Sequence, residues 1–320
     1  MILVVNLNVS LDKHYELDAF VPNTVMRAAA VENTPGGKGL HVAGVLKELG
    51  AEVLVTGMIG GSTGEFIEQK LREKEIPFDF QPISGETRSC LAFTDKAGGQ
   101  TEVLEPGPAV SEAEYLGFIE RYKQLLPAAE FIVCSGSVPQ NIPDTVYASL
   151  IDIARGYGKK VLLDTSGRLL LEGVKGKPAF VKPNLEELQA FCGAKIDSAR
   201  DAALQIKSLL ATGIGIVAVS LGAKGALVGC EEQIFEIQVP KIKAANAVGS
   251  GDAFVGGIAF GLAKNWSLPD TLRLAGACGT ANALEKESGF VRAEVAEKLL
   301  EQVKVSQLTA EINHCSKNEA

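Results

Sequence analysis

At 320 residues the chain can form one large α/β domain or two smaller ones, either with a substantial core. Its composition, 46% hydrophobic and 22% charged, is that of a globular protein, and a net charge of −8 argues against general nucleic-acid binding, which needs a basic face. Six cysteines without C-x-x-C spacing and only three histidines argue against a disulfide framework or a Cys- or His-based metal site, and favour reduced core thiols.

In chain order, short β-branched runs alternate with longer helical patterns. Met1 leads directly into a strand at 2–8 with no basic n-region or cleavage site, so no signal peptide is expected. No apolar run approaches the roughly 18 residues of a membrane span, and the expected location is the cytoplasm. Residues 10–35 break the rhythm without a clear helix. A helix is predicted at 39–49, a strand at 53–59 and a helix at 64–75, after which 88–105 reads as a hairpin across Lys96-Ala97-Gly98-Gly99. Helix 112–125, strand 131–135, helix 143–157, strands 161–164 and 179–182, helices 184–192 and 197–212, and strand 216–220 follow. A second hairpin at 226–238 belongs to the main body, and helices at 251–264, 268–286 and 291–302 complete the pattern. Such alternation predicts a largely parallel sheet covered by helices on both faces. Segments 10–35 and 86–106 together predict a small β-sheet lid on a single domain spanning 1–308. The tail, 309–320, is polar and reads as mobile.

Residues 246–257, Asn-Ala-Val-Gly-Ser-Gly-Asp-Ala-Phe-Val-Gly-Gly, carry the strongest chemical signal. Glycines flank Ser250, and Asp252 arrives as a small-residue apolar helix begins. Such a segment turns backbone N–H groups and the positive end of a helix dipole toward one anion site. A carboxylate there repels an anion that is merely held. It makes sense as a base that takes a proton from a hydroxyl attacking a phosphoryl group. The plainer alternative is an Asp stabilising a helix N-terminus.

Four other stretches offer ligand groups, each with a plainer alternative. Gly36-Gly37-Lys38-Gly39 could bring backbone and the Lys38 charge to a phosphate, or be a tight turn with a solvated Lys. It is not a Walker A loop, because Glu32 replaces the first Gly and Gly39 the Ser or Thr. Lys182-Pro183-Asn184-Leu185-Glu186-Glu187 leaves the carboxyl end of a strand, where open α/β sheets bind ligands. There Lys182 could face phosphates and Glu187 could orient waters around Mg2+, although Asn184 and Glu187 also have capping-box spacing. Ser220-Leu221-Gly222-Ala223-Lys224-Gly225 suits nucleotide phosphate or ribose, or simply a hairpin turn. Arg88, at the mouth of the lid hairpin, could grip a substrate phosphate through paired hydrogen bonds or stand solvated. Gly60-Gly61-Ser62-Thr63-Gly64 matches G-x-S-x-G, yet only His314 in the tail follows at a distance, which disfavours a hydrolase triad.

The order of these motifs, from Asn8 to about Val303, resembles the PfkB (ribokinase-like) family of sugar kinases. The branch of 1-phosphofructokinases and tagatose-6-phosphate kinases is suggested by Gly85-Glu86-Thr87-Arg88, Thr101-Glu102 with Glu105-Pro106-Gly107-Pro108, and Ser135-Gly136-Ser137-Val138-Pro139. The resemblance implies a three-layer α/β/α domain whose small β-lid often serves homodimer contacts. It implies an ATP- and Mg2+-dependent kinase acting on a ketohexose monophosphate, fructose 1-phosphate ahead of tagatose 6-phosphate. It also implies that Asp252 is the catalytic base and that the N–H groups of Gly249, Ser250 and Gly251 form the anion hole. Asn184 and Glu187 would serve the Mg2+–phosphate shell. Lys182, Ser220, Gly222, Gly225 and Asn282 would border ATP, and Asp12, Gly37, Lys38, Arg88 and Ser137 would hold the sugar phosphate. His41 occupies a position that is usually Asn in the family, which places a titratable group toward a sugar hydroxyl and leaves the sugar open. Val9 stands where this branch commonly has Pro, a change expected to alter only local backbone. From another class, a non-catalytic nucleotide or sugar-phosphate sensor could use the same fold; the intact Asp252 and its glycines weigh against it.

Overall fold

The structure, a computed structural model, describes residues 1–308; the expectations for the tail, including His314 and Cys315, lie outside the described residues. The strands are β1 (Ile2–Asn6), β2 (Ser10–Leu17), β3 (Ala30–Gly36), β4 (Val53–Ile59), β5 (Gln81–Pro82), β6 (Arg88–Asp95), β7 (Gln100–Leu104), β8 (Phe131–Ser135), β9 (Lys160–Asp164), β10 (Phe180–Val181), β11 (Ile216–Ser220), β12 (Ala226–Cys230), β13 (Gln233–Gln238) and β14 (Lys304–Gln307). The helices are α1 (Lys38–Glu48), α2 (Gly61–Glu73), α3 (Glu112–Leu125), α4 (Val146–Gly156), α5 (Gly167–Gly173), α6 (Leu185–Cys192), α7 (Ala199–Ala211), α8 (Ser250–Ala263), α9 (Leu268–Ala283) and α10 (Ala293–Leu300).

All five residues of β1 are buried, as a strand covered on both faces requires. Ile2 and Val4 point into one core with α1, α2, α8, α9 and α10, whereas Leu3 and Val5 point into the other with α3 through α7. The period-two alternation of one strand therefore defines three layers. The large sheet runs β14-β13-β12-β11-β10-β9-β8-β1-β4-β5, parallel from β11 to β5 and antiparallel from β11 to β14. The two segments that break the sequence rhythm form a separate sheet, β3-β2-β6-β7, in which β2 and β6 are parallel. This is the ribokinase-like architecture that the motif order implies. No helix among the described residues is long and apolar enough to cross a membrane.

Some boundaries differ from expectation, for tertiary reasons. Helix α2 begins at Gly61 because Glu86, from beyond β5, accepts the N–H groups of Ser62 and Thr63 and caps it. The same carboxylate accepts the Ser62 hydroxyl at 3.2 Å, so the G-x-S-x-G stretch is a capped glycine turn. Helix α4 starts at Val146 after a turn closed on Pro143. Helix α5, the two-residue β5 and the edge strand β14 carry no periodic signal of their own. The five described cysteines are free; Cys134 and Cys278 are buried and the others partly so.

Candidate active site

Strand β1 sits between β4 and β8, so the connections leave it in opposite directions and a crevice opens at the carboxyl ends. Three neighbouring strands end there in buried polar side chains, Asn6, Ser135 and Asp164, whose polar atoms have no hydrogen-bond partner among the described residues. The glycines of 36–39 let the chain settle on these ends. Gly37 is left-handed (φ 102°), and a Cβ there would lie 2.6 Å from the Asn6 amide nitrogen.

Lys38 opens α1, and the first turn contains no acidic residue, so its ammonium opposes the helix dipole. The compensating charge is Asp164, 3.7 Å away, which also lies 3.4 Å from the Lys182 ammonium. Asp164 outweighs the cost of burial, and with help from Asp252 and Glu187 it holds the Lys38 pKa well above the ordinary lysine value. Sequence reasoning missed Asp164. Its signal was an acidic residue closing the apolar run Val161-Leu162-Leu163 at the carboxyl end of a strand.

The N-terminus of α8 faces the same crevice. Gly249 takes a left-handed conformation, and the N–H groups of Gly249, Gly251 and Asp252 have no acceptor among the described residues. The expected donor at Ser250 needs correction: its N–H turns back to the Ala247 carbonyl at 3.2 Å. The Lys182 ammonium lies 3.1 Å from where a Gly251 Cβ would stand, adding positive charge to the helix end. Asn282 needs correction as well. It is fully buried, and its amide donates to the Val248 carbonyl at 2.9 Å and the Ser250 hydroxyl at 3.1 Å. It braces the loop and presents no surface to a nucleotide.

Asp252 is buried, and its Oδ2 lies 2.8 Å from His41 Nδ1. The other ring nitrogen of His41 lies 3.6 Å from Asp12 Oδ2, an ion-pair distance beyond a hydrogen bond. Burial disfavours the imidazolium, but the two carboxylates prevail and raise its pKa from 6.5 to about 10. The stabilisation from these pairs is therefore complete below pH 6.5 and lost as pH rises through about 10.

A cleft of about 600 Å3 brings together Asp12, Gly37, Lys38, His41, Arg88, Lys182, Gly249, Gly251 and Asp252 from five separate stretches of chain. Arg88 donates to the carbonyls of Asn8 at 3.3 Å and Glu105 at 3.0 Å, with no carboxylate paired to it among the described residues. The cleft does not include Ser137, which accepts from Asn8 at 3.1 Å behind the strand ends. Asn184, Glu187, Ser220, Gly222 and Gly225 form a neighbouring group at the ends of β10 and β11, where Asn184 and Ser220 are bridge partners. The capping box is real: Asn184 Oδ1 accepts the Glu187 N–H at 2.7 Å and Glu187 Oε2 accepts the Asn184 N–H at 2.8 Å. The 220–225 turn is also a true turn, closed by the Leu221 N–H on the Gly225 carbonyl at 2.8 Å. Gly222 in it is exposed, with no atom within 4 Å of where its Cβ would point.

This arrangement has a counterpart in known proteins: the model of the pfkB family carbohydrate kinases matches residues 5–294. The chain belongs to the PfkB family. A PfkB carbohydrate kinase is a phosphotransferase, and the pairing of a helix N-terminus with a buried carboxylate is consistent with that chemistry. This PfkB chain is similar to phosphofructokinase-2 from Escherichia coli, solved with potassium, at 28% identity over 94% of this chain and 98% of that one, with a TM-score of 0.88. A Thermotoga maritima protein provisionally named a 1-phosphofructokinase is 28% identical over 97% of this chain and 100% of its own, with a TM-score of 0.89. A Staphylococcus aureus protein provisionally named a phosphofructokinase is 31% identical over 97% and 100%, with a TM-score of 0.83.

Proposed function

We propose that this PfkB kinase transfers the γ-phosphoryl group of ATP to a hydroxyl of a ketohexose monophosphate, with fructose 1-phosphate as the preferred substrate. The observation that carries the reading is the division of cations in one cleft. Lys182 and the α8 N-terminus stand beside Asp252, while Arg88, on the small sheet, has no carboxylate partner and is left for a second anionic group.

The hydroxyl oxygen bonds to the γ-phosphorus as the bond to the ADP oxygen breaks, and the hydroxyl proton passes to Asp252 Oδ1. The free N–H groups of Gly249 and Gly251, with Lys182 and Lys38, stabilise charge on the transferring oxygens. Asp12 orients the sugar hydroxyls, its own Oδ1 held by the Ser10 hydroxyl at 2.7 Å. The nucleotide extends over the open turn at Gly222 and Gly225, beside Asn184 and Ser220. No group of three or more His, Cys, Asp or Glu among the described residues is arranged to hold a metal ion by itself, while Asp164 and Glu187 supply carboxylates close by. That donor set suits Mg2+ held chiefly by phosphates and water, with Glu187 and Asn184 in its outer hydration. Held there, the ion would supply positive charge that offsets the nucleotide phosphates. The small sheet roofs the cleft and keeps bulk water from the phosphoryl group.

An ADP-release assay across fructose 1-phosphate, fructose 6-phosphate, tagatose 6-phosphate and the free sugars tests the reading. The highest kcat/KM is expected on fructose 1-phosphate. Preference for tagatose 6-phosphate would reassign the sugar, and equal turnover of free fructose would remove the phosphate anchor. Arg88→Ala should raise KM for the sugar phosphate by about tenfold to a hundredfold, the worth of a charge-assisted pair, with KM for ATP unchanged.

The outer face of the small sheet supports a homodimer. By register Tyr15 lies between Val31 and Phe93, and these three, with Val103, are not among the residues that line the cleft. Val31 and Val103 are each 52% exposed, beside the stacked rings of Tyr15 and Phe93. Sedimentation velocity should give a dimer for the native chain and a monomer for Val31→Asp combined with Val103→Asp. A monomeric native chain would overturn this assembly.

A further inference from the structure

We propose that His41 is a positioning residue that presents Asp252 to the substrate: a doubly protonated ring holds Oδ2, leaves Oδ1 for the attacking hydroxyl, and keeps Asp12 and Asp252 ionised together. The inference rests on the kinase reading above and deepens it at one side chain.

Nδ1 bonds to Asp252 at 2.8 Å, and Nε2 stands at ion-pair distance, 3.6 Å, from Asp12. A neutral imidazole can make the first contact but brings no charge to the second carboxylate; the imidazolium serves both. Asp252 takes Nδ1, which leaves only Nε2 to meet a sugar hydroxyl, the role the sequence suggests. The carboxylates come from different parts of the fold, Asp12 from β2 of the small sheet and Asp252 from the first turn of α8, and two carboxylates sharing a site resist ionising together unless a cation separates them. The ring plane is fixed from behind: Gly289 is left-handed at φ 68°, and any Cβ there would collide with the imidazole. The charged groups around the pair are Lys38 on α1, Lys182 after β10, Arg88 on β6 and Glu287 in the loop after α9. Among them only the two aspartates touch the ring. An Asn at position 41 could keep one hydrogen bond to Asp252 but not the charge, and this separates a positioning cation from a space-filling side chain.

The first measurement is independent of turnover. With three histidines in the chain, loss of one imidazole resonance in His41→Asn assigns His41 by NMR. In the native protein that ring should remain charged through about pH 8, and Asp252→Asn and Asp12→Asn should each lower its titration midpoint. A native midpoint near the ordinary 6.5, or one that neither substitution moves, overturns the proposal. The second is the pH profile of kcat with MgATP and fructose 1-phosphate. In His41→Asn the acid limb should move up by about one unit, so that kcat well below the limb falls about tenfold relative to the native enzyme at the same pH, with KM for ATP unchanged. A profile that matches the native one means a purely structural His41. If no sugar phosphate is turned over by the native enzyme, the kinase reading fails while the NMR result still decides the protonation of His41.

Discussion

Asp252→Asn is expected to lower kcat about a thousandfold, or about 4 kcal/mol of transition-state stabilisation, and to leave KM for ATP within about twofold. The substitution preserves shape and can still bond to His41, 2.8 Å away, so the α8 N-terminus stays where it is. What disappears is the proton acceptor. Lys182 and the N–H groups of Gly249 and Gly251 continue to bind phosphate, which is why nucleotide affinity should survive. Steady-state kinetics with a direct ATP-binding titration checks both halves. Turnover within tenfold of the native enzyme would mean that another group is the base. Loss of ATP binding would mean that Asp252 has a structural role.

Asp164→Ala is expected to lower unfolding stability by about 3–5 kcal/mol and to reduce activity with it. The carboxylate is buried between two ammonium groups, and Lys182 is only 7% exposed. Without Asp164 this lysine keeps a buried charge and loses its counterion. Lys38, 38% exposed, can turn toward water. The asymmetry predicts that Lys38→Ala costs less stability than Asp164→Ala. Denaturant midpoints of the three proteins measure it, with Asp18→Asn as a control. Asp18 pairs with Lys96 at 2.6 Å on the solvated tip of the small sheet, and its loss should go unnoticed. An Asp164→Ala midpoint equal to the native one would show that the buried cluster contributes no net stability.

The layered fold was legible because its signals are local. Five buried residues in β1 and the glycine-bounded helices can be read from short windows. Helix α2 begins earlier than its own sequence implies because its cap, Glu86, lies 23 or 24 positions away. Strand β14 exists only through pairing with β13. The site divides in the same way. Asp252, Lys38, Arg88 and Lys182 were legible as charges in glycine-rich or strand-end settings. Their partners were not: His41 and Asp252 are 211 positions apart, and no motif announces Asp164 as the shared counterion of two lysines. The Asn184–Glu187 spacing allowed both a cap and a ligand pair, and the cap is present in the structure. The resemblance alone placed Asn282 beside ATP, and no local signal shows that helix packing buries it against the loop it supports.

The short joints of the small sheet have a mechanical consequence. Only Leu7, Asn8 and Val9 separate β1 from β2, and only Gly37 separates β3 from α1. Asn8 is itself pinned through its amide to Pro106, Ser137 and Val138. The sheet therefore behaves as a lever with its fulcrum at the strand ends, carrying Asp12 and Arg88 on the short arm and the apolar outer face on the long one. A partner seated at Val31 and Val103, as in the proposed dimer, would therefore press on the groups proposed to hold the sugar phosphate with little slack, and Val31→Asp combined with Val103→Asp should shift KM for that substrate as it splits the dimer.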